Sequence, residues 1–120
     1  DYLLKRMSTL SEFIDFTEPT ENSKPSWFGF PITIKKSSIF RRVDLIKYLD
    51  QNNIGTRLLF AGNLTKQPYF SNLEYKVSGD LINTEIIMNQ TLWLGVYPGL
   101  GVEELNFIVE KVEEFFGLGF

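Results

Sequence analysis

Apolar residues at Leu3, Leu4, Met7, Leu10, Phe13 and Ile14 recur at helical spacing, so the chain opens on a predicted helix. The pattern is already running at residue 3. Residues 1–16 therefore read as the end of an inter-domain helix, with Asp1 as a cap being the alternative. The polar, Pro-containing stretch 17–26 is a loop. Between 27 and 34 the period changes to two: Phe28, Phe30, Ile32 and Ile34 alternate with Trp27, Gly29, Pro31 and Thr33, as in a strand. Pro31 has no N–H to donate, which predicts an edge strand or an outward-facing position there. Helical spacing returns over 39–52 through Val43, Ile46, Tyr48 and Leu49, with Ser38 as a candidate cap and Asn52-Asn53 as a stop.

A short apolar strand, 56–60, follows a turn at Gly55, and 61–72 has no period and reads as a loop. Residues 74–78 suggest a short extended piece. Asn83 or Thr84 can cap a brief helix through Ile86–Met88, and 91–96 is another strand. Pro98-Gly99 turns the chain into a last helix striped by Leu105, Ile108, Val109, Val112, Phe115 and Phe116. Glu103 and Glu104 favour its N-terminus, and Gly117 ends it. The order of elements predicts one α+β domain over 1–120: a small, mostly antiparallel sheet with helices packed mainly on one face. Phe28, Phe30, Ile32, Leu94, Ile108, Val112 and Phe116 are the expected core.

Composition narrows the chemistry more than it narrows the fold. The 120 residues include no Cys and no His. Disulfides, thiolate metal sites, Cys nucleophiles, Ser-His-Asp triads and imidazole bases are excluded within this chain. A net charge of -3 gives no reason to expect nucleic acid or an anionic membrane as partner. No apolar run approaches the roughly 20 residues a bilayer span needs, and Asp1, Lys5, Arg6 and Glu12 do not suit a signal peptide, so a cytoplasmic location is expected.

The carboxylates Glu110, Glu113 and Glu114, and Asp15, Glu18 and Glu21, read as solvated surface rather than metal or acid–base groups. Lys35-Lys36 and Arg41-Arg42 read as a solvated helix start. Asn63-Leu64-Thr65 and Asn89-Gln90-Thr91 match the glycosylation pattern but carry no weight without a secretory route. The stretch 55–70 is different. It puts Arg57, whose planar fork suits a carboxylate or phosphate, on a strand that runs into a loop with Gly62, Asn63, Thr65, Lys66, Gln67 and Tyr69. Arg57, Gly62, Asn63, Thr65 and Gln67 are the candidate substrate- or cofactor-facing residues; no catalytic residue and no metal ligand is assigned.

Three blocks carry a resemblance: PSWFGFPITI (25–34), IGTRLLFAGNLTKQPYF (54–70) and NTEIIMNQTLWLGVYPGL (83–100). In this order they resemble the C-terminal third of the RfbH-like lipopolysaccharide-biosynthesis nucleotide-sugar 3-dehydratases, of the CDP-4-keto-6-deoxyglucose 3-dehydrase type. That group lies in the sugar-aminotransferase superfamily with the aspartate-aminotransferase fold. The resemblance implies the small C-terminal domain of an enzyme that uses pyridoxal or pyridoxamine phosphate to remove the C3 hydroxyl of a 4-keto-6-deoxy sugar nucleotide. A His takes the place of the cofactor-binding Lys in such enzymes and acts as base, so with no His here that residue is expected upstream of Asp1. The implied partners are a nucleotide sugar, a large cofactor-binding domain and a second subunit. An iron–sulfur cluster occurs in the CDP-sugar branch, on Cys ligands this chain does not have. Alone, the domain is expected to be inactive and to bind no cofactor stoichiometrically. The related aminotransferases carry a His two residues before the Gln-Pro pair; here that position is Thr65, which favours dehydration over transamination. A sugar-aminotransferase domain and a non-enzymatic binding or dimerisation module are the alternatives.

Overall fold

The computed structural model describes residues 2–118. Its centre is a four-stranded sheet in the order β1-β2-β4-β3, formed by Ile14–Phe16, Gly29–Ile34, Thr91–Gly95 and Thr56–Leu58. Every pairing is antiparallel. Strand alternation sends Ile14, Phe30, Ile32, Ile34, Leu92 and Leu94 to one face. There they meet Leu45 and Leu49 of α2 (Arg42–Gln51), and Ile108, Val109 and Val112 of α4 (Val102–Phe115), with Phe116 just after it. Leu3 of α1 (Tyr2–Arg6) and Met7 and Leu10 of the following 3₁₀ turn close the same core. Tyr2 and Arg6 tie this end to α4 through Asn106 Oδ1, at 2.6 and 2.8 Å. The remaining helix, α3 (Ile82–Gln90), contributes no buried side chain. The expected α+β architecture is therefore present, with its helices mainly on one face.

The first helix is shorter than its periodicity predicts, and this corrects the reading of 1–16 as a single helix. α-Helix stops at Arg6, tightens to 3₁₀ over Met7–Leu10, and the chain then reverses into β1. Phe13 and Ile14 fit either period, and so short a helix has little stability of its own, so the sheet decides. Lys35 N–H donates to Phe13 O at 2.8 Å, Lys35 Nζ donates to Ser11 O at 2.6 Å, and the same ammonium faces Asp15 at 3.5 Å.

Pro31 is not on an edge strand, because β2 is paired on both sides. The N–H of Lys35 points at β1, so by alternation the nitrogens of Thr33 and Pro31 point the same way. The β1 ladder ends at Phe16↔Ile32, one residue short of Pro31. The missing donor thus falls where no acceptor waits, and the proline itself limits β1 to its observed length.

Phe28 is a second correction. It precedes the strand, which starts at Gly29, and a bend leaves it 76% exposed rather than in the core. Helix starts were also displaced. Ser38 does not cap α2; its Oγ accepts from Phe40 N–H at 3.1 Å, and the helix begins four residues on, at Arg42. At α3 the preceding turn is set by Asp80, whose Oδ1 accepts from Ile82 N–H at 3.1 Å, rather than by Asn83 or Thr84. Residues 74–78 join no strand. The loop after β3 contains two 3₁₀ turns, Leu64–Lys66 and Pro68–Asn72. Gly117 ends α4 as expected, with the paired Gly117 N–H to Glu114 O and Leu118 N–H to Glu113 O bonds of a Schellman turn.

The Cα radius of gyration is 15.9 Å, against about 13.6 Å for a compact chain of this length. The excess lies in two stretches outside the sheet and its helices, 17–28 and 59–81, which are largely exposed.

Candidate functional site

The antiparallel pairing of β3 with β4 decides where the candidate residues lie. Leu58, at the end of β3, pairs with Leu92, at the start of β4, and α3 runs into β4 with no residue between. The loop leaving β3 therefore emerges at the same end of the sheet as α3, and the two touch.

Contact is made through Gly62 and Asn63. Gly62 sits at φ +63°, and a Cβ there would fall 2.7 Å from Met88 Cγ and 3.0 Å from Met88 Cα, so only glycine allows this approach to α3. Asn63 is 2% exposed. Its Nδ2 donates to Glu85 Oε1 of α3 at 2.7 Å. Its Oδ1 accepts from both Thr65 N–H at 3.0 Å and Thr65 Oγ at 2.7 Å, capping the first 3₁₀ turn. Lys66 Nζ lies 3.7 Å from the same Glu85 oxygen, and Gln67 Nε2 donates back to Ala61 O at 2.7 Å. Gly62, Asn63, Thr65 and Gln67 thus lie close together, and Asn63, Thr65 and Gln67 each direct hydrogen bonds into the loop itself. The buried state of Asn63 also argues against its glycosylation motif.

Arg57 is placed apart from them. It lies opposite Trp93 on the sheet face turned away from the core, and its Nη1 donates only to the neighbouring Thr56 O, at 2.9 Å. Among the described residues no carboxylate lies within ion-pair distance of it. Around it is an aromatic surface that periodicity did not announce. The indole of Trp93 packs against Gly29, where a Cβ would be 1.5 Å from the ring, and its Nε1 donates to Leu58 O at 3.0 Å. Phe28 and Phe60 flank the indole at ring-centroid distances of 4.8 and 6.2 Å. Phe60 is 79% exposed and holds φ +49°, a left-handed conformation that a bulky side chain rarely adopts. A free guanidinium beside exposed rings can take an anionic group attached to a flat or apolar body.

Glu85 and Trp93 are the participants that sequence reasoning missed. Glu85 lies on the short helix over 82–90, and Trp93 in the strand over 91–95. The alternation of Leu92 and Leu94 about Trp93 was the available signal that the indole faces away from the core.

The model of the DegT/DnrJ/EryC1/StrS aminotransferase family matches residues 1–113. The lipopolysaccharide biosynthesis protein RfbH of Salmonella typhimurium is 58% identical over 119 residues, which is 99% of this chain and 27% of that protein. The dTDP-4-dehydro-2,6-dideoxy-D-glucose 3-dehydratase of Saccharopolyspora spinosa is 45% identical over 96 residues, 80% of this chain and 21% of the relative. Among solved structures, the E. coli GDP-4-keto-6-deoxy-D-mannose-3-dehydratase with bound hydrated PLP superposes with a TM-score of 0.81 at 26% identity. The match covers 92% of this chain and 28% of that one. The chain thus spans about a quarter of the length of these relatives. No helix of the described residues is long and apolar enough to cross a membrane.

Proposed function

The chain belongs to the DegT/DnrJ/EryC1/StrS aminotransferase family, and from that premise we propose that it is the C-terminal small domain of a pyridoxal- or pyridoxamine-phosphate-dependent nucleotide-sugar 3-dehydratase. The observation that carries the reading is the 58% identity to RfbH across 99% of the chain. Such an enzyme removes the C3 hydroxyl of a 4-keto-6-deoxy sugar nucleotide for deoxysugar and lipopolysaccharide synthesis in the cytoplasm. The domain works joined to a larger cofactor-binding domain, and as a homodimer.

The 62–67 loop does not form a cradle for the cofactor's phosphate. A phosphate held by this loop would need free backbone N–H groups, yet those of Gly62, Thr65, Lys66 and Gln67 already donate to Leu59 O, Asn63 Oδ1, Asn63 O and Leu64 O. With no His in the chain the base is supplied from elsewhere, and with no Cys this domain gives no ligand to an iron–sulfur centre. Its own contribution is recognition: Arg57, with no carboxylate partner among the described residues, offers its guanidinium to an anionic group of the substrate, beside the start of the 59–67 loop. Thr65 supports dehydration over the related transamination. It stands where the aminotransferases carry His, and its hydroxyl is bound to Asn63 at 2.7 Å.

The test is turnover by the full-length enzyme that carries this domain, followed by NMR of the sugar. Loss of the C3 hydroxyl is expected. A 4-amino product that retains it would establish the aminotransferase reading instead. In the same enzyme Arg57→Lys should already lower kcat/KM, because it keeps the charge but loses the fork. Arg57→Ala should lower it by roughly ten- to a hundredfold, the worth of one charge-assisted hydrogen bond. Unchanged kcat/KM in a stably folded Arg57→Ala enzyme removes Arg57 from the site.

A further inference from the structure

From residues 59 to 81 the loop has one buried residue, Asn63, and that residue is polar. Apolar burial therefore cannot be what fixes the loop. Besides the Phe60 ring beside Trp93, what holds it is α3, which touches it through Met88 against Gly62 and through Glu85 against Asn63. Glu85 is itself held: Asn89 Nδ2 donates to its backbone oxygen at 2.8 Å and approaches its Oε2 at 3.4 Å, while Lys66 faces its Oε1. Helix α3 is in turn anchored to α2, where Arg42 Nη1 donates to Met88 O at 2.6 Å and to Thr91 O at 3.1 Å.

We infer that Glu85 is a positioning residue: by holding the buried Asn63 amide it sets the shape of the 61–67 loop from the α3 side, and substrate binding at that loop depends on it. The inference rests on the reading of the loop as substrate-facing. Chemically, Asn63 performs two tasks at its two ends. Its oxygen organises Thr65 and the 3₁₀ turn, and its nitrogen reports to Glu85. A change that spoils only the nitrogen end leaves the turn capped but frees the loop from the helix.

Asn63→Asp is that change. It keeps an oxygen for Thr65 but sets a carboxylate against Glu85. In the full-length enzyme it should raise KM for the nucleotide sugar about tenfold, equivalent to about 1.4 kcal/mol, with a much smaller change in kcat because the contact serves binding rather than the chemical step. Adding Glu85→Gln reverses donor and acceptor across the same pair, and the double variant should return KM to within about threefold of the starting value. Amide hydrogen exchange over 62–67 should speed up in Asn63→Asp and recover in the double variant. Should Asn63→Asp fail to fold, Glu85→Ala and Glu85→Gln give the same comparison, with the first impaired and the second, whose amide oxygen still accepts, close to normal. Faster exchange with unchanged KM would overturn the inference, as would a double variant no better than the single one. Because wild-type turnover is measured in the same series, an enzyme that fails to remove the C3 hydroxyl overturns the functional reading separately from the loop clamp.

Discussion

The helix-covered side of the sheet and the loop that leaves β3 are built on opposite principles. On the helix-covered side, Ile32, Leu45, Leu49, Leu92, Leu94, Val109 and Val112 are almost inaccessible, and the edge is sealed by stacked rings: Phe116 packs on Phe13 at 5.3 Å and edge-on to Phe40 at 4.9 Å. Such burial is non-directional, and many residue pairs share the load. The 59–81 stretch has no buried apolar residue, and a few contacts hold it, chiefly Gly62 and Asn63 against α3 with Phe60 beside Trp93. Loss of one contact should therefore weaken the first region in proportion and release the second altogether.

Phe116→Ala probes the first region with the largest effect. Removing a side chain 4% exposed and in contact with three other rings should cost about 3–5 kcal/mol in denaturant unfolding. A loss below about 1 kcal/mol would mean the ring cluster is not part of the cooperative core.

Gly62→Ala probes the second. The left-handed φ alone costs roughly 1–2 kcal/mol for a residue with a Cβ, and the contact with Met88 adds crowding. Amide exchange in 62–67 should accelerate while the midpoint of global unfolding moves much less, since local opening and global unfolding are separate equilibria. Equal shifts in both would erase the distinction between the regions.

Phe28→Ala should have the smallest effect, within about 0.5 kcal/mol, because the ring is an exposed flank of Trp93. The alternation along 27–34 would place it in the core and predict several kcal/mol. This measurement separates the two descriptions most cheaply.

Most of the closed side could be read in advance because its signal is local. The stripe from Leu105 to Phe116 and the alternation from Phe30 to Ile34 each need only a few neighbouring residues to be seen. Failures occurred where two periods fit the same residues, as at Phe13 and Ile14, or where a bend preceded a strand, as at Phe28. In the loop, residue types pointed correctly to a place rich in hydrogen-bonding groups, but not to their use. Asn63, Thr65 and Gln67 look alike as candidates, yet their bonds run inward, whereas Arg57, a few positions earlier, has no carboxylate partner among the described residues and only a bond to the adjacent Thr56 O.

The sequence by itself determined most of the elements, the apolar face that holds them together, the absence of Cys and His chemistry from this chain, and, through its three blocks, the family. Tertiary structure decided the pairing of Ile14–Phe16 with β2, the meeting of the loop with α3, and the burial of Asn63 against Glu85. The physical reason is range. Helical and strand periods are set by neighbours a few residues apart, whereas β1 meets a partner 20 positions away (Ile14↔Ile34) and Asn63 one 22 positions away. The second contact follows from β3 running antiparallel to β4, and the first ladder stops at Phe16↔Ile32, one residue before Pro31, which has no N–H to extend it.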